Sequence, residues 1–143
     1  MAEKIEGAAL NEFLMAGTRT AKIAGVKSDG SPIVSPVWFT MDADDVVFTT
    51  MCTSLKYKII QRDSRVSICV DEEVFPYGFA VLQGVASIHK LSVDELLQWT
   101  TKIAARYVPE PLVRQFGKRN AVAEEVLIRV SPDRVFAFSG VAD

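Results

Sequence analysis

Residues 20–50, TAKIAGVKSDGSPIVSPVWFTMDADDVVFTT, contain three β-type runs separated by two turn signals. Asp29-Gly30 is a dipeptide favoured in tight β-hairpin turns, and the acidic run at 42–45 marks a second turn. This stretch therefore predicts a meander of antiparallel strands. Pro32 and Pro36 cannot donate a ladder hydrogen bond, so we expect an edge or a bulge in the strand that contains them.

The segments on either side of this stretch add helices and further strands. A helix is predicted at about 7–16, where apolar residues share one face, and Gly17 is a suitable residue to end it. Gly84 is expected to mark a bulge or bend in a long strand. The predicted elements after residue 50 are a short helix at about 53–62, a strand at 65–71 and a strand at 79–91.

The C-terminal third begins with the clearest helix of the chain. Ser92 and Glu95 have the spacing of a capping box, and apolar residues follow at helical spacing. Residues 108–120 are predicted to form a loop with at most one helical turn, and 124–140 to form two strands around Ser-Pro-Asp. Hairpins outnumber strand–helix–strand units. The chain is therefore expected to be one domain, 1–143, of the mainly β class, an antiparallel barrel with peripheral helices.

The composition and charge of the chain exclude several classes of function. The chain has 143 residues, a net charge of −2 and 49% hydrophobic residues, which suits one domain with an ordinary core. No long basic block is present, so nucleic-acid binding is not expected. No apolar stretch reaches the length of a membrane helix, and the N-terminus lacks a secretory pattern. We expect a cytoplasmic protein with Cys52 and Cys69 reduced.

The common catalytic motifs are missing. His89 is the sole histidine, so metal sites with two or more histidine ligands are excluded, and no metal site is expected. No nucleophile elbow, phosphate loop or dinucleotide-binding glycine motif occurs. A Cys52–His89 pair stays open, but nothing in the sequence brings the two together, and His89 is expected to face solvent. The acidic run 71–73 is interpreted as a solvated turn. If the protein is an enzyme, a bound cofactor is expected to carry the chemistry.

The junction FTTMCTSLKYKII, residues 48–60, joins a strand to a helix. The first turn of that helix presents unpaired N–H groups and a dipole that favours an anion. Thr50 and Ser54 add hydroxyl donors, and Lys56 and Lys58 add positive charge where the dipole does not favour it. Two interpretations stay open from the residues alone: a phosphate site, or a capped helix with solvated lysines.

The chain also resembles a known family, through several segments in the expected order. They are TAKIAGVKSDGSPIVSPVWF, VVFTTMCTSLKYKIIQRDSRVSICVD, PYGFAVLQGVASI, RYVPEP and VLIRVSPDRVFAF, which together cover about 13–138. These segments resemble the FMN-binding split β-barrel family related to pyridoxamine 5′-phosphate oxidase, and most closely its small deazaflavin (F420)-dependent oxidoreductases. The resemblance implies an antiparallel split barrel that binds its cofactor as a homodimer.

Site residues follow from the resemblance position by position. Thr49, Thr50, Ser54 and Lys56 match the segment that holds the cofactor phosphate, and Lys58 stands where relatives often carry arginine. A second segment resembles the strand that lies against the tricyclic ring. Its members are Ser35, Pro36, Val37 and Trp38. Trp38 also has an ordinary explanation, since a large aromatic residue on a strand usually belongs to the core. The C-terminal signatures of true pyridoxamine phosphate oxidases have no match in SPDRVFAFSGVAD.

The implied activity is hydride transfer between F420 and a small organic substrate. FMN is the alternative cofactor, because both molecules share a ring–ribityl–phosphate core. A third interpretation is a carrier that binds a flavin or haem without turnover, with His89 as the single available imidazole. Tyr77 and Tyr107 are proton-donor candidates by chemistry alone. A basic groove for the anionic F420 tail would draw on Lys22, Lys27, Lys56, Lys58 and Arg62.

Overall fold

The computed structural model describes all residues, 1–143, as eight strands and four α-helices. The helices are α1 (Ala8–Met15), α2 (Leu55–Arg62), α3 (Val93–Tyr107) and α4 (Val113–Asn120), and a 3₁₀ turn covers Glu110–Leu112. The strands are β1 (Glu3–Lys4), β2 (Ala21–Val26), β3 (Pro32–Val37), β4 (Thr40–Asp42), β5 (Asp45–Met51), β6 (Arg65–Glu72), β7 (Gly78–His89) and β8 (Glu125–Ser139).

The strands form one antiparallel sheet in the order β3-β2-β6-β7-β8-β5-β4, and β1 also pairs with β8. Ile23 near one end of this order and Met41 at the other belong to the same buried core cluster. The sheet therefore wraps around a common core, while its two edge strands do not pair with each other. This is the predicted split β-barrel with peripheral helices, and the mainly β class is confirmed.

The hairpin signal at Asp29-Gly30 is confirmed. β2 and β3 pair from Ala21↔Val37 to Val26↔Pro32, and Gly30 takes a φ of 87°, which favours glycine. The carboxylate of Asp29 accepts hydrogen bonds from the backbone and side chain of Ser31 and closes the turn. β3 is an edge strand of the sheet, which explains how it accommodates two prolines.

The second predicted turn is also confirmed, because β4 and β5 pair as a hairpin that closes at Asp42↔Asp45; the predicted meander is wrong only between β3 and β4, which do not pair. β3 ends at Val37, and β4 begins at Thr40 on the opposite edge of the sheet. Between them Phe39 is fully buried, and its backbone finds partners outside the sheet: Arg106 donates to its carbonyl, and its N–H donates to the Tyr107 hydroxyl. Because these side chains replace ladder partners, the chain can leave one edge and enter the other.

Two predicted helix ends are also confirmed: the start of α3 at Ser92 and the end of α1 before Gly17. The Ser92 hydroxyl accepts the Glu95 N–H at 3.2 Å and lies 3.0 Å from the Glu95 carboxylate, which caps the start of α3. Gly17 follows the end of α1 with a φ of 55°, a conformation that glycine adopts without strain. The apolar face of α1 packs onto the barrel through fully buried Leu14.

The C-terminal prediction needs two corrections. Residues 108–120 contain the full eight-residue helix α4 after the 3₁₀ turn, and 125–139 form one continuous strand through Ser-Pro-Asp. The register of β7 against β8 shifts at Gln83/Gly84, where Gly84 faces Pro132, so the predicted irregularity at Gly84 is confirmed. A Cβ on Gly84 would lie 2.2 Å from the Ser131 carbonyl oxygen. Glycine thus gives the bulge the room that lets β8 pass a proline without breaking.

Candidate functional site

The junction between β5 and α2 is built around one hydroxyl. Ser54 is the N-cap of α2: its Oγ accepts the Tyr57 N–H at 3.1 Å and shares a 2.9 Å hydrogen bond with Thr50 Oγ1. The Ser54 hydroxyl is therefore used by the start of α2. Thr49, the neighbour of Thr50 on β5, is half-buried. This arrangement fixes the geometry of the predicted phosphate segment.

Lys56 connects α2 with the edge strand β3. Its Nζ donates to Ser35 Oγ at 3.2 Å, and no carboxylate lies within salt-bridge distance. Lys56 is half-buried, and its ammonium group has donors left for a ligand. Lys58, two residues further, points into solvent and has no place in the walls around Lys56.

The two predicted segments meet in one cleft of about 310 Å³. One wall comes from the end of β3, another from the end of β5 and the start of α2, and α3 and α4 complete it. Six of the predicted residues line the cleft: Pro36, Val37, Trp38, Thr49, Thr50 and Lys56. Ser35 and Ser54 do not line it but bond to Lys56 and Thr50, which do. Ser35 and Lys56 also border an adjoining apolar cleft of about 220 Å³.

Glu125 is the titratable residue of the cleft that sequence reasoning missed. It is the first residue of β8 and pairs in register with Met51 at the end of β5. Its side chain is half-buried, and burial raises the pKa of its carboxyl, opposed by a hydrogen bond from Thr49. Its sequence neighbourhood, Glu124-Glu125 before an apolar run, is typical of an exposed strand start, so only the β5–β8 register reveals its position. Thr100, Ile103 and Asn120 complete the lining from α3 and α4.

Trp38 both lines the cleft and packs against the helices. Its ring stacks on Tyr107 at 5.1 Å between centroids and 8° between planes, and Phe116 lies tilted at 6.1 Å. The two explanations of Trp38 from sequence are thus compatible: one part of the indole is packed, and the residue still borders the cleft.

Neither tyrosine proposed as a proton donor lines the cleft. Tyr107 donates its hydroxyl to the Arg19 carbonyl at 2.8 Å, and burial raises the pKa of this phenol. Its hydroxyl also accepts from Arg106 at 3.0 Å, so it acts as a structural junction. Tyr77 is exposed and packs edge-on against Phe75.

The remaining candidates lie in ordinary structural contacts. His89 Nε2 is 2.8 Å from Ser87 Oγ, no hydrogen bond joins His89 to Cys52, and both cysteines are free. The prediction of a solvated turn at 71–73 is wrong for its first two residues, because Asp71 and Glu72 lie at the end of β6 and form ion pairs with Lys22 and Arg19. No group of three or more His, Cys, Asp or Glu side chains is placed to hold a metal ion.

The five basic residues considered for a groove do not gather in the cleft. Lys22 pairs with Asp71 at 2.9 Å, Arg62 donates to the Val26 carbonyl, and Lys27 and Lys58 are exposed. Lys56 alone among them lines the cleft. None of the helices is long and apolar enough to cross a membrane.

The donor set of the cleft fits a phosphate-bearing planar cofactor. Lys56 offers an ammonium group without a carboxylate partner, and the Thr50 hydroxyl lies beside it, whereas the Thr49 hydroxyl donates to Glu125. Pro36, Val37 and Trp38 provide an apolar wall a few residues from the lysine's partner, Ser35. Cofactor sites combine apolar walls with a few fixed polar groups in this way.

Comparison with solved structures gives three informative similarities. An F420 reductase is 26% identical, with a TM-score of 0.69 over 87% of this chain and 94% of that one. A FAD-binding protein from Mesorhizobium loti is 18% identical (TM-score 0.69, 96% of each chain). The haem storage protein HutZ from Vibrio cholerae is 17% identical (TM-score 0.72, 95% of this chain and 96% of that one). The last two similarities concern the fold.

No curated protein sequence matches the chain. A family model described as pyridoxamine 5′-phosphate oxidase matches residues 7–139, from the start of α1 to the end of β8. Because the match covers nearly the whole chain and the structure has the split-barrel architecture, the chain belongs to the pyridoxamine 5′-phosphate oxidase family.

Proposed function

We propose that this protein is an F420-dependent oxidoreductase that transfers a hydride between the bound deazaflavin and a small organic substrate. The observation that carries the proposal is the single cleft in which the Pro36–Trp38 wall, Thr49 and the Thr50 and Lys56 donors meet. Similarity to an F420 reductase over 94% of that chain supports the choice of cofactor.

The residues of the chain have distinct tasks in this proposal. Lys56 holds the cofactor phosphate by a charge-assisted hydrogen bond, and Thr50 orients it, while Thr49 borders the phosphate and donates its hydroxyl to Glu125. Pro36, Val37 and Trp38 form the surface against which the ring lies. The cofactor, when bound, supplies the hydride chemistry, and the protein supplies binding, orientation and one open ring face for the substrate.

A fluorescence titration tests the proposal directly. Purified cofactor-free protein is titrated with oxidised F420 and, in parallel, with FMN. Micromolar binding of F420, followed by oxidation of reduced F420 in a screen of small organic acceptors, is the expected result. Binding of neither cofactor would refute the proposal. The junction at 48–60 would then be a capped helix with solvated lysines and no phosphate site.

FMN-dependent oxidoreduction is the second candidate, because FMN has the same ring–ribityl–phosphate core and the same donors serve it. Tight binding of FMN alone would establish it. A carrier of flavin or haem would bind its ligand without turnover. For haem, His89→Ala would remove the spectrum of an imidazole-ligated complex, since His89 is the only histidine.

We further propose that the active form is a homodimer. Phe79, Phe136 and Phe138 form an aromatic cluster on the outer face of β7 and β8, with centroid distances of 4.9–6.1 Å, and Phe136 is 59% exposed. Exposed apolar clusters of this kind mark interaction surfaces. Sedimentation velocity should give twice the mass of one chain, and Phe136→Ser should shift the protein towards monomer. A wild-type monomer at micromolar concentration would contradict this proposal.

A further inference from the structure

The charge balance of the cleft is unusual for a phosphate site. Lys56 and Glu125 are the two titratable side chains among its lining residues. Glu125 is half-buried and has no cation within salt-bridge distance, so nothing in the chain neutralises it when it ionises. A bound phosphate would therefore experience one positive and one potential negative charge.

The elements around Glu125 contribute one cation to the cleft and no further charged side chain. β5 presents neutral residues, α2 contributes the single cation Lys56, and α3 and α4 present only neutral side chains. The neutral lining residues that share the cleft with Glu125 are Thr49, Thr50, Met51, Thr100, Ile103 and Asn120. No second cation of this chain compensates a doubly charged ligand, because Lys58 points into solvent.

The two candidate cofactors differ in phosphate charge. FMN ends in a phosphate monoester, whose second proton leaves near pH 6, so it carries about −1.5 to −2 at neutral pH. In F420 the phosphate continues into the oligoglutamate tail and is a diester with one negative charge. Coulomb energy is proportional to charge, so a carboxylate repels the monoester dianion about twice as strongly as the diester.

We propose that Glu125 is a specificity-determining residue that selects a cofactor whose phosphate is a singly charged diester over one whose phosphate is a monoester. The inference rests on the proposed function and deepens it, because it assigns the preference for F420 over FMN to one side chain of the cleft. Lys56 balances the single charge of the diester. The second charge of the monoester meets Glu125 instead.

The raised pKa of Glu125 gives this selection a pH dependence. Below its pKa the carboxyl is neutral and FMN is mostly a monoanion, so the two cofactors meet similar fields. As pH rises, Glu125 and the FMN phosphate both become more negative, and the repulsion specific to FMN grows. Lys56 is the only other titratable group of the cleft.

The test compares wild-type protein with Glu125→Gln, which removes the charge and keeps an acceptor for Thr49. FMN and F420 affinities are measured by fluorescence titration at pH 4 and pH 8. At pH 8 we expect the variant to bind FMN about tenfold more tightly and F420 about threefold more tightly than wild type does. The logarithm of the gain is then about twice as large for FMN, as the doubled phosphate charge predicts. At pH 4, below the ordinary pKa of a glutamate and therefore below the raised pKa of Glu125, both gains should fall towards one. F420 binding by the variant also shows that it is folded.

Glu124→Gln is the matched control. It makes the same charge change one residue earlier, at an exposed side chain outside the cleft, and should alter neither affinity more than about twofold. Each of three results would overturn the inference: equal gains for FMN and F420, no gain for FMN, or the same gain in Glu124→Gln. In these cases F420 binding would leave the proposed function intact. If neither protein binds either cofactor, the proposed function fails, and the selectivity inference fails with it.

Discussion

Replacing Lys56 with alanine removes the only cation that lines the cleft. The Nζ group donates to Ser35 Oγ at 3.2 Å and has no carboxylate partner, so two of its three donors are available to a ligand. In the proposed complex the lost interaction is a charge-assisted hydrogen bond to phosphate, which is worth about 1.5–3 kcal/mol. We expect F420 affinity to fall by about this amount, which is roughly 12- to 150-fold in Kd.

Lys58→Ala provides the comparison on the same helix. The family resemblance assigns Lys58 to phosphate binding, whereas its exposed position outside the cleft predicts a change in Kd below about twofold. Fluorescence titration of both variants, with thermal melts to confirm folding, measures the difference. Equal losses in the two variants would mean that the general positive field of α2, and not the contact at Lys56, holds the phosphate. Unchanged affinity in Lys56→Ala would refute the phosphate site itself.

Three further predictions concern stability and are measured by thermal or denaturant unfolding. Gly84→Ala should destabilise the fold by about 1–3 kcal/mol or more, because the added Cβ would lie 2.2 Å from the Ser131 carbonyl; wild-type stability would contradict the bulge geometry. Tyr107→Phe should cost about 1–3 kcal/mol, since the Arg19 carbonyl and Phe39 N–H lose a buried partner; an unchanged midpoint would mean that water replaces the hydroxyl. Burial raises the pKa of Glu125, so its contribution to stability is present at acid pH and is lost as pH rises through that pKa. Glu125→Gln should therefore gain stability over wild type between pH 4 and pH 8, and a constant difference would refute this sign.

Features with local signals could be predicted from sequence. Asp29-Gly30 determines a hairpin by its own backbone preferences, and Ser92 with Glu95 caps α3 within one turn. The predicted phosphate segment also has a local signal, because Ser54 caps α2 by accepting the N–H of Tyr57, three residues away. Each of these depends on contacts between near neighbours, which sequence displays directly.

Features that depend on distant pairing could not be predicted. The separation of β3 and β4 onto opposite edges requires Arg106 and Tyr107 to bind the backbone of Phe39, a contact between segments far apart in the chain. Glu125 enters the cleft only because β8 pairs with β5 in one register, Met51↔Glu125. A shift of one residue would turn it to the other face of the sheet. Neither fact has a signature in the residues themselves.

The same separation explains how the cleft acquires two walls of different character. The polar wall is held locally, through the Ser54 cap and its bond to Thr50. The apolar wall is held from the end of α3, where Tyr107 stacks on Trp38 and its hydroxyl anchors the break that follows β3. Lys56 spans the two through Ser35. Since distinct elements hold each wall, substitutions at the end of α3 should alter the ring surface without touching the phosphate donors, so ring and phosphate affinities can be varied independently in this barrel.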